Sequence, residues 1–153
     1  MKTSRCNWDI QFVNDQLNIE DDLLILAGDN LFEFSVAEFV NFAKNYGSDG
    51  LAMYYEVKLE QLKRNGTAID FIEKPENHTY HHCVPTYYVL KRSTLSLIQE
   101  YLNEGNNPDA TGNFIPYLIQ RNVVKAFVFE GTCYDIGTLD SYNKVQKILS
   151  NQD

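Results

Sequence analysis

The sequence predicts an α/β domain, and three observations carry that expectation. Asp22 to Ala27 is a short, almost continuous apolar run that stops at Gly28-Asp29-Asn30, the pattern of a buried strand ending in a tight turn. Ser35-Val36-Ala37-Glu38 then has capping-box spacing, and Val36, Phe39, Val40 and Ala43 recur at helical period until Tyr46-Gly47 supplies a stop. Gly50 to Val57 reads as the next strand. Strand, helix, strand is a βαβ unit, which predicts a parallel sheet with a right-handed crossover.

The remaining elements follow in order. Ahead of the first strand, Asp9 to Val13 alternates polar and apolar residues. Thr67 to Ile72 and Cys83 to Leu90 are strand-like, and Ser93 to Leu102 is an amphipathic helix stopped near Gly105. Gly105 to Gly112 is a turn-rich loop. A short helix from about Asn113 to Arg121 carries Pro116 in its first turn, where a missing N–H costs little. Val123 to Glu130 is a strand, and Thr138 caps a last helix whose Tyr142, Val145 and Leu149 share one face. Residues 1–153 read as a single domain, with no repeat and no low-complexity tract.

Composition narrows the function classes. A formal net charge of −8 argues against DNA or RNA as partner, because nucleic-acid binding is driven largely by Lys and Arg displacing counterions. No stretch approaches the roughly 18 apolar residues of a membrane span. Met1-Lys2-Thr3-Ser4-Arg5 is not followed by the apolar core of a signal peptide, so a cytoplasmic location is expected, without membrane contact. Cys6, Cys83 and Cys133 are odd in number and widely spaced, which predicts reduced, partly buried thiols.

Several residues are candidates for chemistry. In open α/β sheets ligands gather at the carboxyl ends of strands, where Gly28-Asp29-Asn30 places Asp29; the same tripeptide is equally good turn chemistry. Tyr134-Asp135-Ile136-Gly137-Thr138 likewise follows a strand and precedes a helix. Two carboxylates from different strand ends can share one Mg²⁺, which prefers oxygen ligands. Glu73-Lys74-Pro75 closes the Thr67 to Ile72 strand and sets a carboxylate beside an ammonium. A sugar phosphate needs both, an acceptor for hydroxyls and a compact cation for phosphate, although a solvated pair at a strand end reads as well. His78, His81 and His82 lack zinc-site spacing and read as solvated loop residues. Tyr54, Tyr55, Tyr87 and Tyr88 could stack on a base or sugar, but adjacent strand residues face opposite ways, so at least half serve packing or surface.

The order of these signals matters more than any one of them. Leu23-Leu24-Ile25-Leu26-Ala27-Gly28-Asp29-Asn30-Leu31-Phe32 comes first, followed by Phe71-Ile72-Glu73-Lys74-Pro75 and Gly105-Asn106-Asn107-Pro108-Asp109-Ala110. Phe129-Glu130-Gly131 through Tyr134-Asp135-Ile136-Gly137-Thr138 closes the series. From about Asp9 to the last helix, the chain resembles the sugar-phosphate nucleotidyltransferases of the glucose-1-phosphate thymidylyltransferase and uridylyltransferase type. The resemblance implies an incomplete nucleotide-diphospho-sugar transferase (Rossmann-like) fold, a mixed, mainly parallel sheet flanked by helices. It also implies Asp29 and Asp135 as Mg²⁺ ligands, Glu73 on the sugar hydroxyls and Lys74 on the sugar phosphate. The implied reaction joins a sugar-1-phosphate to a nucleoside triphosphate and releases pyrophosphate.

Two departures from the family pattern shape the functional expectation. The family's Gly-rich, arginine-bearing loop and its lysine-containing segment, which cradle the triphosphate and base, have no counterpart in the sequence. A Gly-Val-Val-Glu-like strand is also absent, since Arg64 passes almost directly into Asn65-Gly66. Without those units the sheet would expose apolar surface, and a homodimer is one arrangement that buries it. The expectations are therefore a C-terminal catalytic part complemented by a separate N-terminal half, a non-catalytic sugar-phosphate-binding or regulatory remnant, or a truncated product. The isolated chain is expected to be inactive.

Overall fold

A computed structural model describes residues 6–55, 65–71, 82–83 and 85–150. The fold is α/β, as expected. Helix α1 (Cys6–Leu17) leads into β1 (Leu23–Leu26), β2 (Asn30–Phe32), α2 (Val36–Tyr46) and β3 (Asp49–Tyr55). Strands β4 (His82–Cys83) and β5 (Tyr87–Leu90) follow, then a 3₁₀ turn at Arg92–Thr94 and α3 (Leu95–Asn103). A second 3₁₀ turn at Thr111–Phe114 precedes α4 (Ile115–Ile119), β6 (Val124–Phe129), β7 (Cys133–Asp135) and α5 (Leu139–Ser150).

The main sheet is mixed. β6 pairs parallel with one edge of β3, Asp49 opposite Val124 through Tyr54 opposite Phe129. β5 and β4 pair antiparallel with the other edge, and β1 adds antiparallel to β5. Strands β1, β3 and β6 thus run in one direction, as the βαβ pattern predicts, but β5 is inserted between β1 and β3. Such non-local pairing leaves no trace in the periodicity of either strand. The single strand expected over Cys83 to Leu90 is broken. Leu51 faces Tyr88 while Tyr54 faces Cys83, so three steps along β3 correspond to five along its partner. Pro85, which has no N–H for the ladder, lies in the break, and Tyr87 N–H turns back onto the Pro85 carbonyl at 2.6 Å. Of the strand expected over Thr67 to Ile72, the described part forms only a bridge, Thr67 opposite Lys125 along the outer edge of β6. Ile72 lies outside the described residues.

Alternation divides the core into two layers. Leu51, Met53, Tyr88, Leu90, Val124 and Ala126 face α3 and α4 and pack on Ile98, Phe114, Ile115 and Leu118. Ala52, Tyr87, Val89 and Phe129 face the other way, onto Phe39 and Ala43 of α2. Tyr87 and Tyr88 are both buried, one in each layer. Helix α2 keeps its expected signals: Ser35 Oγ accepts from Glu38 N–H at 3.2 Å, and Gly47 takes φ +60° with its N–H on the Lys44 carbonyl. Gly50 admits this helix, since a Cβ there would stand 3.3 Å from both Ala43 and Phe39.

Helix α1 is the element the pattern hides. Its fully buried residues are polar, Asn7 and Gln11, beside Ile10, which packs partly buried against the core; Asn7 Nδ2 donates to the Ala110 carbonyl at 2.8 Å. Trp8, Phe12, Val13 and Leu17 are exposed. With polar residues buried beside Ile10 and the larger apolar ones exposed, the helix has no continuous apolar stripe toward the core, so its hydrophobic period is uninformative. Asn18, at φ +47°, ends it. Helix α5 is capped as expected, Thr138 Oγ1 accepting from Ser141 N–H at 3.1 Å. Of its expected apolar face only Val145 is buried; Tyr142 and Leu149 are more than 40% exposed. No helix among the described residues is long and apolar enough to cross a membrane. Cys6 and Cys133 are half-buried thiols outside any disulfide, and the side chain of Cys83 lies outside the described residues.

Asp49 ties three connections to the start of β3. Its Oδ1 accepts from Lys91 N–H at 2.7 Å, and its Oδ2 accepts from Thr94 Oγ1 and Asn122 Nδ2, each at 3.0 Å. Lys91 Nζ in turn meets Asp22 at 2.6 Å ahead of β1. Burial of Asp49 raises its carboxyl above the ordinary 3.8, against the lowering effect of these donors. The stability it contributes is therefore fully present below that ordinary value and lost as pH rises through the higher folded one. Asp49→Ala orphans several buried donors and is expected to cost about 2–3 kcal/mol in urea unfolding. The gap from wild type should be widest in acid and narrow toward neutral pH.

Candidate functional site

The site lies at the carboxyl ends of the codirectional strands, where α/β sheets bind ligands. β1 ends at Leu26, Ala27 N–H continues the ladder by donating to the Thr86 carbonyl, and Gly28-Asp29 turns the chain into β2. After β6 the chain turns at Gly131, whose φ is +135°, and enters β7. There β2 and β7 form a separate two-stranded antiparallel sheet, with Asn30 opposite Asp135, Leu31 opposite Tyr134 and Phe32 opposite Cys133. Ile136 N–H extends it by donating to the Asp29 carbonyl at 2.8 Å.

Aromatic packing fixes this small sheet to the large one. The Phe32 ring meets Tyr87 at 4.6 Å, and Phe34 meets Phe129 at 4.4 Å and Tyr87 at 5.6 Å. The Tyr87 hydroxyl donates to the Asn30 carbonyl at 3.2 Å. Burial, and then the neighbouring Cys133 and Asp29, push the Tyr87 phenol well above its ordinary value, so it stays a neutral donor.

This arrangement brings Asp29 and Asp135 together. Both are exposed side chains, and both converge on Gly137. A Cβ at Gly137 would stand 3.1 Å from Asp135 Oδ1 and 3.3 Å from Asp29 Oδ2. Each carboxylate is held through one oxygen. Gly137 N–H donates to Asp135 Oδ1 at 2.7 Å, and Asn30 Nδ2 donates to Asp29 Oδ1 at 3.0 Å. Two carboxylates with only oxygen atoms to offer, both in contact with the place a Gly137 Cβ would take, suit a hard cation such as Mg²⁺. No group of three His, Cys, Asp or Glu side chains that could hold a metal occurs among the described residues.

The other candidates divide differently. Glu73, Lys74, His78 and His81 lie outside the described residues, as does the side chain of His82. The segment ahead of Glu73 is anchored by Lys125 of β6, whose Nζ donates to the Asn65 carbonyl and to Thr67 Oγ1, each at 2.9 Å. Sequence reasoning had no role for Asn30, Gly137 or Lys125. Gly137 carried a readable signal, since a glycine two residues after a strand-end Asp leaves both space and an N–H for that carboxylate.

Known proteins resemble this chain in sequence and in fold. Residues 8–152 match the profile of the nucleotidyl transferase family. A glucose-1-phosphate adenylyltransferase from Fervidobacterium nodosum is 29% identical over 143 residues, which cover 87% of the chain and 34% of that relative. The corresponding enzyme from Thermotoga neapolitana is 27% identical over 134 residues, 78% of the chain and 31% of the relative. The chain thus spans about a third of the length of these curated relatives. A UDP-glucose pyrophosphorylase complexed with UDP-glucose superposes with a TM-score of 0.76 at 16% identity, over 100% of this chain and 64% of that one. A UTP-bound UGPase from Acinetobacter baumannii gives 0.67 at 17% identity, over 90% and 53%. At these identities the structural likeness speaks for the fold.

Gly137→Ala tests how tightly the two carboxylates converge. The added Cβ should displace both by a few tenths of an ångström, visible in a crystal structure, while stability changes by only about 0.5 kcal/mol, as at other surface positions. Unmoved carboxylates would contradict the convergence.

Proposed function

The chain belongs to the nucleotidyl transferase family, and from that premise we propose that it carries the metal and sugar-phosphate part of a sugar-1-phosphate nucleotidyltransferase site. The observation that supports this most is the convergence of Asp29 and Asp135 on Gly137 at the strand ends. The proposed overall reaction is NTP plus sugar-1-phosphate to NDP-sugar plus pyrophosphate. In it a sugar-phosphate oxygen displaces pyrophosphate in line at the α-phosphorus. Asp29 and Asp135 would hold Mg²⁺, which when bound neutralises phosphate charge.

The protein's own part is placement. Glu73 accepts hydrogen bonds from the sugar hydroxyls, and Lys74 presents a compact ammonium to the sugar phosphate, binding the acceptor and turning its oxygen toward the α-phosphorus. Gly137 keeps the space between the carboxylates free of side-chain atoms. We place the protein in the cytoplasm, with a homodimer as one arrangement that buries apolar surface of the sheet.

Isothermal titration with glucose-1-phosphate tests the acceptor site. Saturable heat at millimolar ligand, lost in Lys74→Ala, is expected; no heat, or heat unchanged in the variant, would contradict it. Catalysis is a separate matter. The relatives are about three times as long as this chain, and no Gly-rich triphosphate cradle is found in the 153 residues. Loss of even one such donor can cost on the order of 10²-fold in rate. The 153-residue polypeptide alone is therefore expected to release no pyrophosphate above an Asp29→Asn control, which would make it a sugar-phosphate-binding unit rather than a self-sufficient enzyme. Release above that control would overturn this part of the reading.

A further inference from the structure

Asn30 makes more contacts than a turn residue needs. It stands opposite Asp135 in the β2–β7 ladder, and its carbonyl accepts from the buried Tyr87 hydroxyl at 3.2 Å. The main chain at Asn30 is thereby fixed from below. Its side chain then reaches two groups at once: Nδ2 donates to Asp29 Oδ1 at 3.0 Å, and Oδ1 accepts from the Cys133 thiol at 3.7 Å. We propose that Asn30 is a positioning residue for Asp29, and that the Cys133 thiol selects the face its amide presents. The proposal rests on the metal reading of Asp29 and Asp135 given above.

Donor and acceptor chemistry fixes the sense of this relay. An ionised carboxylate only accepts hydrogen bonds, so the amide NH₂ must face Asp29. The amide oxygen then faces away, and the group it meets is a thiol, which has a proton to donate. The opposite amide orientation sets two oxygens against each other at Asp29 and loses the thiol bond. With Oδ1 of Asp29 engaged by Asn30, its Oδ2 is the atom left toward Gly137 and Asp135. Asp29 is exposed and sits in a turn, so without the amide its carboxylate has several rotamers open to it. An ion would then have to order the side chain as it binds, at a cost in affinity.

The test uses Mn²⁺ as the probe, titrated into the chain and followed by electron paramagnetic resonance. Asp29→Asn should abolish binding. Asn30→Ala should weaken it about tenfold, the scale of one hydrogen bond to a charged group. Cys133→Ala should weaken it by about threefold, whereas Cys133→Ser, which keeps a donor on the Asn30 oxygen, should bind within about twofold of wild type. Binding in Asn30→Ala equal to wild type, with Asp29→Asn still inactive in binding, would overturn the positioning role and leave the metal reading standing. Equal loss in both Cys133 variants, or none in either, would overturn the role of the thiol.

A metal-free measurement separates the two readings. The Asn30 side-chain amide resonances, assigned by their loss in Asn30→Ala, should shift in Asp29→Asn and again in Cys133→Ala. If wild type takes up no Mn²⁺ at millimolar concentration yet those shifts occur, the metal reading falls and the positioning role survives. Resonances unmoved by either substitution would overturn the positioning role itself.

Discussion

Strand β3 is hydrogen-bonded along both edges, to β5 and β4 on one and to β6 on the other, and the remaining elements take their places from it. Its residues are small or apolar in alternation, so Leu51 and Met53 enter one core layer and Ala52 the other. Gly50 lets α2 approach, and Asp49 collects the chain ends that leave β5 and enter β6. A parallel neighbour on one edge and an antiparallel one on the other send the carboxyl ends of β1, β3 and β6 to the same rim. The small β2–β7 sheet at that rim is therefore a consequence of how β3 is paired.

The rim arrangement explains how two residues more than a hundred positions apart come to share a point. Neither Asp29 nor Asp135 is buried, so no desolvation forces them together. Their closeness comes from register: Asn30 opposite Asp135 sets the backbones, aromatic contacts from Phe32 and Phe34 fix the strands to the core, and Gly137 omits a Cβ that would press on both carboxylates. Rigid support beneath exposed carboxylates is what a cation site requires, because little ordering is then left for the ion to bring about.

Much of this was legible in the sequence, and the failures have physical causes. Helix α2 could be read from Ser35 and Gly47 because capping is local chemistry, and α5 from Thr138 for the same reason. The insertion of β5 between β1 and β3 could not, since strand adjacency is set by long-range pairing. Helix α1 was obscured because its fully buried side chains, Asn7 and Gln11, are polar, while Trp8, Phe12, Val13 and Leu17 are exposed and Ile10 is left as the apolar contact with the core. The run from Cys83 to Leu90 is strand-like in its apolar and aromatic residues, but Pro85 within it has no N–H for the ladder, and that is where it breaks. At the site, the carboxylates stood out as strand-end residues, while Asn30 and Cys133 look like ordinary turn and strand residues until their side chains are placed. Glu73 and Lys74 lie outside the described residues and keep the standing their motif gives them.

The proposed divalent-cation site joins Asp29 and Asp135 at the end of the sheet. The most direct measurement is a crystal of the chain grown with Mn²⁺ and glucose-1-phosphate and examined for anomalous scattering. A single peak is expected beside Gly137 within about 2.2 Å of an oxygen of each carboxylate, a distance close to that of Mg²⁺ sites. A peak elsewhere, or carboxylates turned away from each other with no peak between them, would contradict it.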